Sequence, residues 1–242
     1  MLKMRYRARS LFLVVLVFVL VATGILAEMS VSEADELILT KDVANIKKAI
    51  EALEKIIAED PKNAEAHITI AKAHLYLGDR VQESKLEIFE AGKSYAEKAT
   101  ELDPKSPDAY YWLAALTGRV GQTRGILQSL FMINPMKEAL DTAIEIDPNY
   151  AAAYYVLSLL YTEAPGWPVS IGNKQKALEY AQKAVDLAPD DIEFNVHLAK
   201  ALINNKRTKE AVAVLNRVLE MPHIDTEPEY KEEARELLQK HK

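Results

Sequence analysis

Few residues in this chain have the types and spacing that chemistry needs. There is no cysteine among the 242 residues, which removes disulfides, thiolate nucleophiles and cysteine-ligated metals. His67 and His74 form the only near pair of histidines. Seven residues of helix separate them by about 10 Å, too far to share one metal ion unaided. Both are expected to pack in the core, and His197, His223 and His241 are isolated. No phosphate loop, dinucleotide fingerprint, HExxH or GxSxG stretch occurs. What remains is a binding kit. Arg119 and Arg124 are cations able to grip a carboxylate through two hydrogen bonds; the bland alternative is a solvated charge or a pair with a nearby acid. Tyr110–Tyr111 and Tyr154–Tyr155 are repeated aromatic pairs, and Trp112 and Trp167 are the two tryptophans. The expectation is therefore a binding protein without catalytic residues, metal or cofactor.

The elements that must position these residues are helices. Ala, Leu, Glu, Lys and Ile dominate after residue 30, and glycine is scarce. Four segments end alike: IIAEDPKNAEAH, ATELDPKSPDAY, AIEIDPNYAAAY and AVDLAPDDIEFN. Each reads as a helix end, a proline and a new helix start. After each proline a bulky residue, a small pair and another bulky residue recur, as in Tyr110, Leu113, Ala114 and Thr117. The following helix carries a contact stripe such as Ala211, Leu215 and Val218. These residues, over about 44 to 222, resemble the tetratricopeptide repeat, whose period is about 34 residues. The fold expected is an all-α, right-handed α-solenoid of such helix pairs with extended intra-repeat insertions. The segment after Thr226, with Ala234, Leu237 and Leu238, reads as a capping helix.

The spacing departs from that period. Pro61, Pro104, Pro148, Pro189 and Pro222 are 43, 44, 41 and 33 residues apart. The surplus is expected between the two helices of a repeat, on one rim. The stretch EAPGWPVSIGNKQKA is then a widened turn, with Trp167 packed on the rim or over the groove. The apolar run Ile126 to Ile133 is expected either to plug the groove or to leave a pocket beneath it.

In the repeat family the concave face is lined at offsets of one and five from the first bulky position. Here those positions hold Ile68 and Lys72, Tyr111 and Ala115, Tyr155 and Leu159, Val196 and Lys200. The groove and rim residues expected to bind are therefore Ile68, Tyr111, Ala115, Arg119, Arg124, Tyr155, Leu159 and Trp167. The first tyrosine of each pair should be core and the second groove, with Trp112 in the core.

The N-terminus is a separate object. Lys3, Arg5, Arg7 and Arg9 precede an uncharged run from Leu11 to Ala27. This is the layout of an export signal, although Ile25 is larger than a cleavage site prefers. Seventeen apolar residues also reach the lower limit of a membrane span, so a retained anchor is the alternative. The division expected is 1–27 as signal or anchor and 28–242 as the helical domain. Losing the four cations moves the formal charge from −6 to −10. That argues against nucleic acid and against anionic membrane surfaces.

The insertion containing GR and TRG, with LYTEAPGWPVSIGNKQKALEYAQKAVDLAPD, resembles the T-component proteins of TRAP transporters (TatT); related segments occur in regulator of microtubule dynamics proteins. The likeness is best over about 105 to 222. It implies a periplasmic accessory protein that docks a solute-binding P-component and holds an apolar or amphipathic carboxylate in a hydrophobic cleft. Many of that family are lipoproteins, and the missing cysteine sets this chain apart from them. The alternative is an envelope assembly scaffold with a plugged groove and no ligand, and a homo-oligomer is compatible with either.

Overall fold

The computed structural model describes residues 29–222 and 228–241; the signal or anchor segment, His223 and Thr226 lie outside them. Eleven helices follow one another among these residues: α1 Val31–Leu39, α2 Val43–Glu59, α3 Ala64–Arg80, α4 Lys85–Leu102, α5 Pro107–Arg124, α6 Ile126–Ile146, α7 Ala151–Glu163, α8 Lys174–Leu187, α9 Ile192–Asn204, α10 Thr208–Glu220 and α11 Pro228–His241. Each packs against the next in sequence, and α3, α5 and α7 also meet. The result is an α-solenoid of five hairpins closed by α11. No described helix is long and apolar enough to cross a membrane.

The proline turns show how sequence becomes geometry. In three of them an aspartate ends one helix and precedes the proline. The carboxylates of Asp60, Asp103 and Asp147 accept the N–H two residues on, at 3.1, 3.1 and 2.9 Å. Their backbone carbonyls accept the N–H three residues on, at 3.1, 3.2 and 3.0 Å. Proline between them fixes φ for the first central position of the turn. Asn63 and Ser106 then cap the next helix through Ala66 and Ala109 N–H. These turns follow one another along one edge.

Small residues let the helices meet along the repeat stripe. Ala49, Leu53, Ala114, Leu157, Ala199, Ala211, Leu215 and Val218 are all fully buried. α11 closes the last hairpin by burying Ala234 and Leu238 against α9 and α10.

The surplus residues do not form loops in the second and third hairpins. They lengthen the helices: α3 to α6 have 17, 18, 18 and 21 residues, whereas α7 to α10 have 13 or 14. The connection between α5 and α6 is Gly125 alone, with φ +103, a conformation that L side chains rarely adopt. The added turns pack closely through glycine. A Cβ on Gly78 would lie 2.3 Å from the Phe89 ring, and one on Gly121 2.9 Å from Met132 Cγ. α6 runs through Pro135, which has no N–H to give the carbonyl of Phe131.

Only the fourth hairpin carries a wide turn, Ala164–Asn173. It is closed by hydrogen bonds from Gly172 N to Pro165 O at 2.8 Å and from Asn173 N to Tyr161 O at 2.9 Å. A Cβ on Gly172 would sit 2.0 Å from Ala164 O, so only glycine fits. The Trp167–Pro168 bond is cis. Contrary to the expectation of a packed tryptophan, Trp167 is 89% exposed. The turn is tied by its own backbone, so the ring is not needed to hold it.

Candidate functional site: an aromatic cleft on the concave face

A cleft of about 630 Å³ opens between α3, α5, α6 and α7. Its walls include four of the residues placed there by helical offset: Tyr111, Ala115, Tyr155 and Leu159. Continuing the same spacing by one more turn reaches Tyr76, Arg119 and Glu163, which line it too. The lengthened α3 and α5 supply Tyr76 and Arg119, and Glu163 ends the shorter α7. Sequence reasoning took Arg119 from a different motif and missed Tyr76 and Glu163, although the four-residue interval already pointed to them.

The cleft is open. The run from Ile126 to Ile133 is not a plug but the first half of α6, standing as a side wall. Leu130, Ile133 and Met136 face inward, while Leu127 and Phe131 point to solvent at 73% and 71% exposure. A helix cannot turn all its apolar residues one way, and this one turns half of them out.

Three predicted site residues lie elsewhere. Ile68 is half-buried and does not reach the cleft, because α1 packs on α3 there and Asp35 pairs with Lys72 at 2.8 Å. Arg124 is exposed and pairs with Glu90 of α4. Trp167 stands out on the loop. The fifth hairpin is covered in the same way as the second: Val196 is 1% exposed, and Lys200 pairs with Glu233 of α11. The terminal helices thus close both ends of the concave face and leave its middle open.

The floor and walls are mainly aromatic. Tyr76 and Trp112 meet edge to face at 6.2 Å, Tyr111 and Trp112 at 4.8 Å, and Tyr155 stacks on Phe194 at 4.8 Å. Trp112, expected in the core, therefore belongs to the cleft wall. The Arg80 guanidinium lies 5.4 Å from the Tyr76 ring centre. Tyr155 donates its hydroxyl to Glu193 Oε1 at 2.6 Å. Burial pushes the Tyr155 and Tyr111 phenols well above their usual range, and Glu193 adds to it, so both stay neutral donors.

Arg119 already holds a carboxylate, and it is the chain's own. Its Nη2 donates to Asp79 Oδ2 at 3.0 Å and its Nη1 to Gln122 Oε1 at 3.1 Å. Its Nε lies 2.9 Å from Asp79 Oδ1, a charge contact outside hydrogen-bond alignment. Of the two readings open for Arg119, the structure has the pair with a nearby acid.

One arrangement looks like a nucleophile and its base. Ser158 Oγ is 2.8 Å from His197 Nε2. But Ser158 is fully buried and donates its proton to Ala177 O at 2.6 Å, so it is a packing hydrogen bond between α7, α8 and α9. His67 is buried with Nδ1 2.9 Å from Asn63 O, and His74 is stacked on Tyr95. Among the described residues no group of three histidines or acids could hold a metal ion.

The family model described as "Regulator of microtubule dynamics protein 1-3" matches residues 30–163 and 171–242. The chain belongs to that family. Regulator of microtubule dynamics protein 1 of Bos taurus is 27% identical over 176 residues, which span 66% of this chain and 55% of that protein. The Caenorhabditis elegans protein of the same name is 25% identical over 177 residues, 65% of this chain and 76% of its own. The chain spans about half the length of the mammalian relatives it matches. Among solved structures, a thermophilic TPR protein of Thermus thermophilus superposes with a TM-score of 0.68 at 17% identity, covering 87% of this chain and all of that one. MamA of Desulfovibrio magneticus gives 0.52 at 21%, covering 81% and 97%. At these identities the two establish the tetratricopeptide-like fold alone.

These relatives are named as regulators of microtubule dynamics, not as transport components. That overturns the TRAP assignment drawn from the TatT resemblance, with its P-component partner, transport role and carboxylate ligand. The periplasmic location falls with it. The misreading has a physical source: the resemblance rested on repeat and turn residues, which report the solenoid and not what it binds. The matched segments leave out 164–170, the tip of the wide turn, which had carried much of the TatT likeness.

Proposed function

We propose that this chain is a non-enzymatic protein-interaction module that grips an extended segment of a partner protein in the central cleft. The supporting observation is the open aromatic cleft of about 630 Å³, left uncovered only where the terminal helices do not reach. Its ions are largely engaged with one another, so affinity comes from apolar and aromatic side chains, with Tyr111 and Tyr155 as neutral anchors. The names of the relatives direct the search toward partners that act on microtubules, and microtubule regulation by this chain is part of the proposal.

The test is binding of the full chain to peptides tiled across tubulin, with scrambled peptides as controls. Ala115→Leu fills the cleft and Leu159→Ala removes part of its floor. A bound peptide that loses about tenfold or more in affinity with Ala115→Leu, at unchanged melting temperature, supports the cleft as the site. Binding indifferent to both substitutions would sink it.

A further inference from the structure

The two edges of the solenoid differ. The edge carrying Gly125 and the wide turn leaves five large apolar side chains in water: Ile126 at 83%, Leu127 at 73%, Phe131 at 71%, Trp167 at 89% and Val169 at 67% exposure. At such values most of each side chain is left uncovered by this chain, and the exposure carries a standing cost. The loop that holds out Trp167 and Val169 is closed by backbone hydrogen bonds, so the display is fixed. Both edges carry charges of both signs. The proline turns carry Asp60, Asp103 and Asp147 with exposed Lys62 and Lys105, and the apolar edge carries exposed Glu83 and Glu163 together with Lys174 and Lys206, both exposed and without an ion-pair partner among the described residues.

We propose that this edge docks on a phospholipid bilayer. Ile126, Leu127, Phe131, Trp167 and Val169 enter the interfacial layer, and Lys174 and Lys206 meet lipid phosphates. A protein partner needs a continuous, complementary surface, commonly about 1,200–2,000 Å² in total. Here the apolar side chains stand on two separate elements, and a bilayer accepts separate anchors without matched shape. Tryptophan favours the headgroup level, where its ring is half apolar and half polar. A second copy meeting this edge symmetrically would bring its lysines toward one another. The acidic net charge of the chain does not forbid the contact. Helices of 13 to 21 residues put the aspartates of the proline turns about 20–30 Å away. That is beyond the screening length of about 8 Å.

The absence of native cysteine gives a direct test. Leu127→Cys, Val169→Cys and, on the proline edge, Lys105→Cys are made singly in the full chain and labelled with an environment-sensitive fluorophore. Each is titrated with vesicles of phosphatidylcholine and phosphatidylserine in a four-to-one ratio. Expected are a several-fold rise at positions 127 and 169, quenching there by lipid-borne quenchers, and a flat response at 105. Lys174→Glu with Lys206→Glu should move the midpoint several-fold toward higher lipid. Flat signals at 127 and 169 overturn the proposal. So does an equal response at 105, which would mean that another part of the chain holds the vesicle. A rise without vesicles that grows with protein concentration would assign the edge to a second copy instead.

Discussion

The central hairpins and the C-terminal ones use one repeat in two ways. α3 to α6 are long, and α3, α5 and α6, together with α7, leave side chains free to form a cleft. α7 to α10 keep shorter helices, and α11 packs onto α9 and α10 at their end. The same offsets that give Tyr111 and Ala115 an open face give Val196 and Lys200 a covered one. Position in the repeat sets the direction of a side chain. Whether that direction ends in solvent depends on which helix lies across it.

The sharpest way to break this contrast is to compare leucines. Leu198→Ala, in the covered region, should cost about 2–5 kcal/mol in chemical denaturation, since Leu198 is 2% exposed and its cavity cannot drain. Leu159→Ala, on the cleft, should cost clearly less. Equal losses would mean that the cleft is as tightly packed as the core.

A smaller effect is expected where the long helices meet. Gly78→Ala forces a methyl against the Phe89 ring and should cost about 1–3 kcal/mol by overpacking. Phe89→Leu in the same chain should restore part of it. No recovery would show that the glycine is needed for another reason.

The two regions also differ in their histidines. Burial pushes His74 down to about 4, and burial with nearby Lys200 does the same to His197. A histidine kept neutral in the folded state contributes stability that is complete above its ordinary value near 6.5. It is lost as pH falls toward 4, with a slope approaching 1.4 kcal/mol per pH unit for each. His74 has no hydrogen-bond partner on either ring nitrogen, whereas His197 bonds Ser158. His74→Leu should therefore flatten the acid slope with little loss at neutral pH. His197→Leu should flatten it while costing about 1 kcal/mol for the lost bond. Urea titrations at several pH values separate the two.

The smallest effect is a single cap. Ser106→Ala removes the bond to Ala109 N–H and should cost about 1 kcal/mol. The fourth hairpin begins at Tyr150 with no side-chain cap, so Tyr150→Asn offers the converse, a small gain. That gain is set against the loss of the Tyr150 bond to Asp108.

The helices, the proline turns and the inward-facing register are legible in the order of the residues. Asp60-Pro61, Asp103-Pro104 and Asp147-Pro148 encode their turns within four residues, and the periodicity that placed Tyr111, Ala115, Tyr155 and Leu159 is equally local. What covers each groove position depends on packing between distant helices. Ile68 leaves the site because α1 packs on its helix, and Val196 because α11 closes the end, contacts between residues remote in sequence. The surplus residues became extra helical turns because glycines at 78 and 121 let those turns pack. Trp167 stayed in water because backbone hydrogen bonds suffice to close its loop. Local pattern fixes where a side chain points; only long-range packing fixes what it meets.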